Sequence, residues 1–331
     1  MTRDTADILE RPIIVVLGGT GVIGTALKNV ALRREFEVIS VSLDPEATSD
    51  GYRNSQIDLH ALRPGALGAH LSNIVPENRT IFAIYDIVGL SPDHIGELAN
   101  FAAARGITIG QISSCLLYDH DRSGPVDEDC PLLDPDKPMF PYQALKQAQE
   151  SALSARQDIN WRIFRTHHVI GRGGLLGCIP DQNRDPELLA QLRSGTPLRL
   201  AQEGQLRLSF IHAVDLATAM IDLCDDPSTV RQAINVVHPD VALARDYYFI
   251  LSDLMGLPKP KIAPFNVPSS DFWSLTAKDN VFFSNHPAAG KLNFQHDLVS
   301  SLTDALAVGE SCYPSLGKYM GRRISGSNRK H

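Results

Sequence analysis

The sequence predicts an α/β fold, a doubly wound parallel sheet with a smaller carboxy-terminal substrate-binding lobe, and three observations carry that prediction. The first is the stretch Ile13-Ile14-Val15-Val16-Leu17-Gly18-Gly19-Thr20-Gly21-Val22-Ile23-Gly24, in which an apolar run passes straight into glycines at 18, 21 and 24. Such a run reads as a buried parallel strand turning sharply into a helix N-terminus. The second is the alternation of strand-like and helix-like runs as far as about residue 170, which builds βαβ units and places ligands outside the carboxyl ends of the strands. The third is composition: 331 residues, 43% hydrophobic and 21% charged, suffice for one large α/β body and an added lobe.

Each element follows from local chemistry. After the glycines, Val22, Ile23, Ala26, Leu27, Val30 and Ala31 form one helical stripe. Glu37 to Leu43 is the second strand, and Gln56-Ile57-Asp58-Leu59 reads as a short third one. Ala61 to Ile74 is a helix interrupted at Pro64-Gly65, and Thr80 to Tyr85 a fourth strand. A helix from Pro92 to Arg105, capped by Gly106, leads to a fifth strand, Ile107 to Ser113. Pro141 opens a helix to about Arg156, and Trp161 to Phe164 is a further strand. Beyond Arg165 the glycines multiply. A helix from Asp185 to Arg193, strands at Leu198–Leu200, Leu208–Ile211 and Ala233–Val237, and helices at Val214–Leu223, near Leu243–Met255 and at Leu298–Leu306 complete the pattern. The expected division is residues 11–170 with 203–238 for a Rossmann-type domain, 171–202 with 239–312 for the substrate lobe, and 313–331 for a flexible basic tail.

Bulk properties exclude several functions. A net charge of -7 gives no basic footprint for nucleic acid or an anionic membrane. Five cysteines, Cys115, Cys130, Cys178, Cys224 and Cys312, show neither Cys-x-x-Cys spacing nor an even count, so no disulfide framework or zinc site is expected. The polar start, Met1 to Asp7, is unlike a signal peptide, and no apolar run is long enough to span a membrane. A cytoplasmic protein without a metal is the expectation.

The glycine stretch is a phosphate cradle in outline. Gly18 permits the turn, Gly21 lets the backbone approach a pyrophosphate, and Gly24 lets the helix pack closely, with Val22 and Ile23 carrying the first-turn N–H groups. An acid is expected about twenty residues on, where it takes the ribose of NAD. Ser42 closes the second strand and Asp44 follows beside Pro45, so the choice between NAD and NADP stays open with a lean to NAD; Asp58 is placed near the adenine. Ser114 falls at a strand end, and Tyr142 and Lys146 lie one turn apart on one helix face. Tyrosine ionises near pH 10, and a neighbouring ammonium favours the phenolate. Tyr142 is therefore the candidate acid or base for a carbonyl–alcohol interconversion, Ser114 a hydrogen-bond partner of the same oxygen, and Lys146 both a cofactor-ribose and a catalytic residue.

With these residues in place the chain resembles an extended (atypical) short-chain dehydrogenase/reductase of the NAD-dependent epimerase/dehydratase family. The marks are Gly18, Gly21 and Gly24; Ser113-Ser114 with Tyr118; Tyr142, Lys146 and Glu150; Arg165 with Gly171; and Phe210-Ile211-His212 with Asp215-Leu216-Ala217. The resemblance implies a Rossmann domain with a substrate lobe, catalysis by Ser114, Tyr142 and Lys146, and dimers built on the helices at Pro92 and Pro141. It also places Cys115, His167 and His168 by the substrate.

Three departures narrow the function. Dehydratases of the family follow the catalytic hydroxyl residue with Asp-Glu, whereas Cys115-Leu116 stands here. Nucleotide-sugar members usually carry an arginine where this chain has Leu208, and Arg207, one step off, leaves the opposite strand face. The short segment after Tyr85 and the run Val281-Phe282-Phe283-Ser284 are similar to the branch containing chloroplast stem-loop RNA-binding proteins, which lack the tyrosine that this chain has at Tyr142. The expectation is an NAD(P)-dependent oxidoreductase acting on a ketone or alcohol of a small metabolite. A nucleotide-sugar epimerase with tightly held NAD and a non-catalytic binding protein on the same fold are the alternatives.

Overall fold

The computed structural model describes residues 11–119, 124–136, 141–172, 188–265, 281–285 and 292–307. Its centre is a seven-stranded sheet in the order β12-β7-β5-β4-β1-β2-β3, parallel throughout. The strands are β1 (Ile13–Leu17), β2 (Glu37–Ser42), β3 (Tyr52–Gln56), β4 (Ile81–Asp86), β5 (Thr108–Ser114), β7 (Trp161–Thr166) and β12 (Gln232–Asn235). The chain leaves β1 towards β2 and β3, then returns to β4 on the other side of β1. The reversal leaves a crevice at the carboxyl ends of β1 and β4, where doubly wound sheets bind ligands.

Burial explains the sequence pattern. β1 carries no exposed residue because both its faces are covered. Ile14 and Val16 pack under α1 (Val22–Arg33) and α6 (Ala213–Asp225). Ile13, Val15 and Leu17 pack under α2 (Ala66–Ile74), α3 (Pro92–Arg105) and α4 (Pro141–Ser154). A separate apolar core joins Leu188, Leu189 and Leu192 of α5 (Leu188–Ser194), Leu208 and Phe210, α7 (Ala244–Leu254) and α8 (Leu298–Leu306). Short two-stranded ladders flank it: β8 (His168–Ile170) with β11 (Phe210–His212), β9 (Leu198–Ala201) with β14 (Ile262–Phe265), and β10 (Arg207–Leu208) with β13 (Ala242–Leu243). A fourth ladder pairs β6 (Gly124–Val126) with β15 (Val281–Phe283).

Several boundaries differ from the sequence expectation. The third strand is Tyr52–Gln56, not Gln56–Leu59; its residues are mostly polar because it is the sheet's edge, and Asp58 lies past it in a turn whose carboxylate receives His60 N at 3.0 Å. The second helix starts only after Gly65, which takes a left-handed φ of 85° at its N-cap. The run Leu208–Ile211 is two strands meeting at Ser209. Residues 185–187 of the expected fifth helix, and the expected tail at 313–331, lie outside the described residues.

Candidate active site

The glycine loop stands at the crevice. Gly18 has φ 98°, and a Cβ on it would meet Val88 N at 3.1 Å, so the loop following β1 touches the loop following β4. A Cβ on Gly24 would stand 2.2 Å from Gly18 O, which only glycine avoids. Gly21 is the N-cap of α1, offers no side-chain cap, and has no acidic residue in the helical turn behind it. A Cβ there would meet only Gly18 O, at 3.9 Å, so space lies open beside the first-turn N–H groups. Val22 and Ile23 are partly buried against the core, which fixes that turn. Uncapped N–H groups, a positive helix end and open space fit a phosphate or pyrophosphate.

At the end of β2, Ser42 Oγ donates to the carbonyl of Asp44 at 2.9 Å and meets Asn54 Oδ1 at 3.0 Å. The Asp44 side chain is exposed. Sequence reasoning overlooked a carboxylate nearby: Glu46 receives Lys28 Nζ at 2.5 and 2.6 Å and the Tyr52 hydroxyl as well. Lys28 lies to one side of the apolar stripe of α1 and is buried all the same, and no local sequence signal marks it.

The expected catalytic residues lie along β5 and α4. Ser114 is buried at the end of β5, and its Oγ accepts from Leu116 N at 3.1 Å, which leaves the hydroxyl proton to donate elsewhere. Lys146 is buried and donates to Ile112 O at 2.8 Å; its ammonium stands 3.2 Å from where a Cβ on Gly89 would lie. It therefore spans from α4 to the loop after β4. Tyr142, one turn earlier on the same helix, is 38% exposed.

Polar contacts add to the apolar packing that holds α4 in place. Gln143 donates to Leu116 O at 2.7 Å, Gln147 to Leu133 O at 2.6 Å and Gln149 to Leu90 O at 2.7 Å. Behind them Glu150 receives Arg165 in a two-pronged ion pair at 3.0 and 2.7 Å, and Arg165 also donates to the Tyr118 hydroxyl at 2.9 Å. Tyr118 in turn donates to Asn235 Oδ1 at 2.7 Å. Burial pushes the Tyr118 phenol well up, so this tyrosine stays protonated and structural.

Cys115, expected beside the substrate, is fully buried with Sγ 3.9 Å from Asn235 Oδ1, and burial pushes its thiol well up. His167 Nδ1 lies 2.9 Å from Ser209 O, so Nδ1 carries a proton. The His167 ring meets His168 edge-on at 4.4 Å and Phe283 at 5.0 Å. Leu208 is fully buried, and Arg207 is exposed, lying over the Phe282 ring at 4.6 Å. Among the described residues His212, Asp215 and His296 bring ligand-type atoms within 4.8 Å of one another. The two imidazoles stack face to face at 3.9 Å and 19°, so no ion can lie in both ring planes, and the cluster does not suit a shared metal.

Comparison with known proteins agrees with this fold. Residues 94–237 match the model of the NAD dependent epimerase/dehydratase family. Among curated proteins no sequence match is found. The fold is similar to that of the epimerase Mth375 from Methanothermobacter thermautotrophicus, with a TM-score of 0.70 and 14% identity over 94% of this chain and 95% of that one. It is also similar to UDP-glucuronic acid 4-epimerase from Bacillus cereus in complex with NAD, TM-score 0.68 and 16% identity over 91% and 99% of the two chains. WbmG from Bordetella bronchiseptica, solved with NAD, gives a TM-score of 0.69 at 16% identity over 92% and 96%.

Proposed function

We propose that this chain, whose residues 94–237 carry the NAD-dependent epimerase/dehydratase family segment on an extended short-chain dehydrogenase/reductase fold, is an NAD-dependent oxidoreductase that interconverts a ketone and an alcohol on a small metabolite. The uncapped cradle of Gly18, Gly21 and Gly24 fits the dinucleotide pyrophosphate. NAD, when bound, supplies the hydride acceptor or, reduced, the donor. The chain's own residues handle the oxygen and its proton: Ser114 donates a hydrogen bond to the oxygen, and Tyr142 gives or takes the proton. Lys146 holds a positive charge on the tyrosine's face of α4, favouring the phenolate, and reaches the crevice where the cofactor ribose belongs.

The observation that carries this reading is the Lys146 ammonium, buried at the end of a helix-to-crevice span beside Gly89 and Ile112 O. A lysine needed only for the surface would not be drawn 34 residues back in the chain onto a strand-end carbonyl. The epimerase reading is supported by the named neighbours; Leu208, buried where a diphosphate-binding arginine is usual, argues against a nucleotide sugar. The test is direct. Purified protein is assayed for bound NAD, then supplied with NADH and a panel of carbonyl compounds. Consumption of added NADH supports the oxidoreductase; NAD retained through purification, with no net consumption, supports the epimerase.

A further inference from the structure

The small apolar core around α7 and α8 carries a groove that the redox reading leaves unused. On α7, Tyr247, Tyr248 and Leu251 turn inward to that core. The opposite stripe is Asp246, Phe249, Ile250 and Asp253, spaced i, i+3, i+4 and i+7 on one helix face. All four line a groove of about 460 Å³, to which α8 contributes Val299, a large apolar residue left 45% exposed. Among the described residues the lining sets Asp240, Asp246, Asp253 and Asp297 against one cation, Lys259. Asp297 is spent on its own helix, accepting Ser300 N at 2.8 Å. Lys259 shows what the groove accepts, since its ammonium stands 5.4 Å over the Phe249 ring. A second hollow shares Asp297 and Val299 with the first and continues along α8 to Ala307, the last described residue.

A face that reads acid, apolar, apolar, acid fits a partner with cations and apolar side chains interleaved, and the sequence supplies one past Ala307. We propose that residues 313–331 of this same chain dock in the groove. They hold five lysines and arginines and no acid, in a chain whose net charge is -7. Lys318-Tyr319-Met320-Gly321-Arg322-Arg323-Ile324 interleaves the two kinds of side chain. Reach is ample: the eleven residues from Ala307 to Lys318 extend to about 36 Å, whereas α8 is about 14 Å long. Ion pairs at a surface are individually weak. Tethering offsets that weakness, because a segment joined by a short linker meets its site at an effective concentration of about a millimolar. The docked segment covers Phe249, Ile250 and Val299 and brings its cations to Asp240, Asp246 and Asp253. None of these residues belongs to the proposed redox site.

The experiment follows tryptic cleavage after Lys318, Arg322 and Arg323 in the full chain and in the full-length double variant Asp246→Asn with Asp253→Asn, each checked for cooperative thermal unfolding. At low ionic strength the wild type should be cut about fivefold or more slowly than the variant, and in about 1 M salt, where the Debye length is about 3 Å, the two rates should converge. Equal rates at low salt would overturn docking in this groove. A second measurement needs no variant. A carbodiimide joins an ammonium to a touching carboxylate as an amide and takes up the water as a urea. It should link Lys318 or Lys330 to Asp240, Asp246 or Asp253 in a product of monomer mass. Links found only at dimer mass would give the groove to a second copy's segment and overturn docking within one chain. The absence of any link between the segment and these aspartates would overturn it too.

Discussion

A methyl group at position 24 has no room, because it would press on Gly18 O at 2.2 Å and on Gly19 Cα at 2.8 Å, both backbone atoms of the loop it supports. Gly24→Ala should therefore push the loop outward, costing roughly 1–3 kcal/mol of stability, the usual range for overpacking. It should weaken dinucleotide binding further than that, with thermal unfolding and NADH titration as the two readouts. Loss of stability without loss of binding would remove the loop from the cofactor site. At Tyr142 the change is chemical. Tyr142→Phe keeps the ring and removes the proton, so turnover with NADH should fall by about 10²–10⁴-fold, the usual weight of a general acid, while cofactor affinity holds. Unchanged turnover would favour a binding protein. The placement of Ser114 at a strand end and of Tyr142 and Lys146 one turn apart on a helix was legible because both features are local in the sequence. The Lys28–Glu46 ion pair was not, because it joins residues 18 apart that meet only where the sheet edge brings Tyr52 beside both. Cys115 misleads in the other direction: one residue past Ser114 the chain enters a turn of 3-10 helix and carries the thiol into the core.

Elements were read well where a terminus declares itself. The helix from Pro92 to Arg105 was legible to the residue, since Ser91 caps it, proline opens it and Gly106 closes it at φ 64°. The helix at Leu298–Leu306 was equally plain, with Asp297 as its cap. The second helix was not, and the reason is long-range. Its N-terminus has no cap of its own, and Glu97 on α3 supplies one instead, receiving Gly65 N at 2.6 Å, Leu67 N at 2.9 Å and Gly68 N at 3.4 Å. A carboxylate at a helix start also meets the positive end of the dipole. Glu97→Ala should cost about 1–2 kcal/mol, in the range of a lost cap. Amide exchange should rise first at Gly65 through Gly68, while the amides of β1 stay protected; uniform loss of protection would mean that α2 does not open by itself. The polar edge strand Tyr52–Gln56 escaped for a related reason, as no apolar alternation marks a strand that only β2 pairs.

At the scale of the whole molecule, the question is what fastens the last described helix to the sheet body. The answer is a ladder of charged and imidazole groups rather than apolar surface alone. Asp304 of α8 takes Arg172 at 2.7 Å and His212 Nε2 at 3.2 Å, while Asp215 of α6 receives Gln295 N and His296 N and lies 2.8 Å from His296 Nδ1. His212 Nδ1 accepts Val214 N at 3.3 Å, which sets the neutral tautomer with its proton on Nε2, aimed at Asp304. Burial lowers the His212 pKa, and the stacked His296 lowers it further, so the folded chain takes up this proton less readily than the unfolded chain. The sign then follows. As pH falls through about 6.5 the unfolded chain takes up the proton first, so the stabilisation is full above that value and is lost below it. Burial alone would raise Asp304, yet Arg172 and His212 hold it below the usual carboxylate range, so its own contribution is lost only under more acidic conditions. Thermal midpoints should therefore drop between pH 7 and 5, and His212→Gln, which keeps a hydrogen-bonding side chain without a titrating one, should flatten that slope even though its midpoint at pH 7 is lower. A variant with the wild-type slope would place the pH dependence elsewhere, and the latch at His212 would then be mere packing.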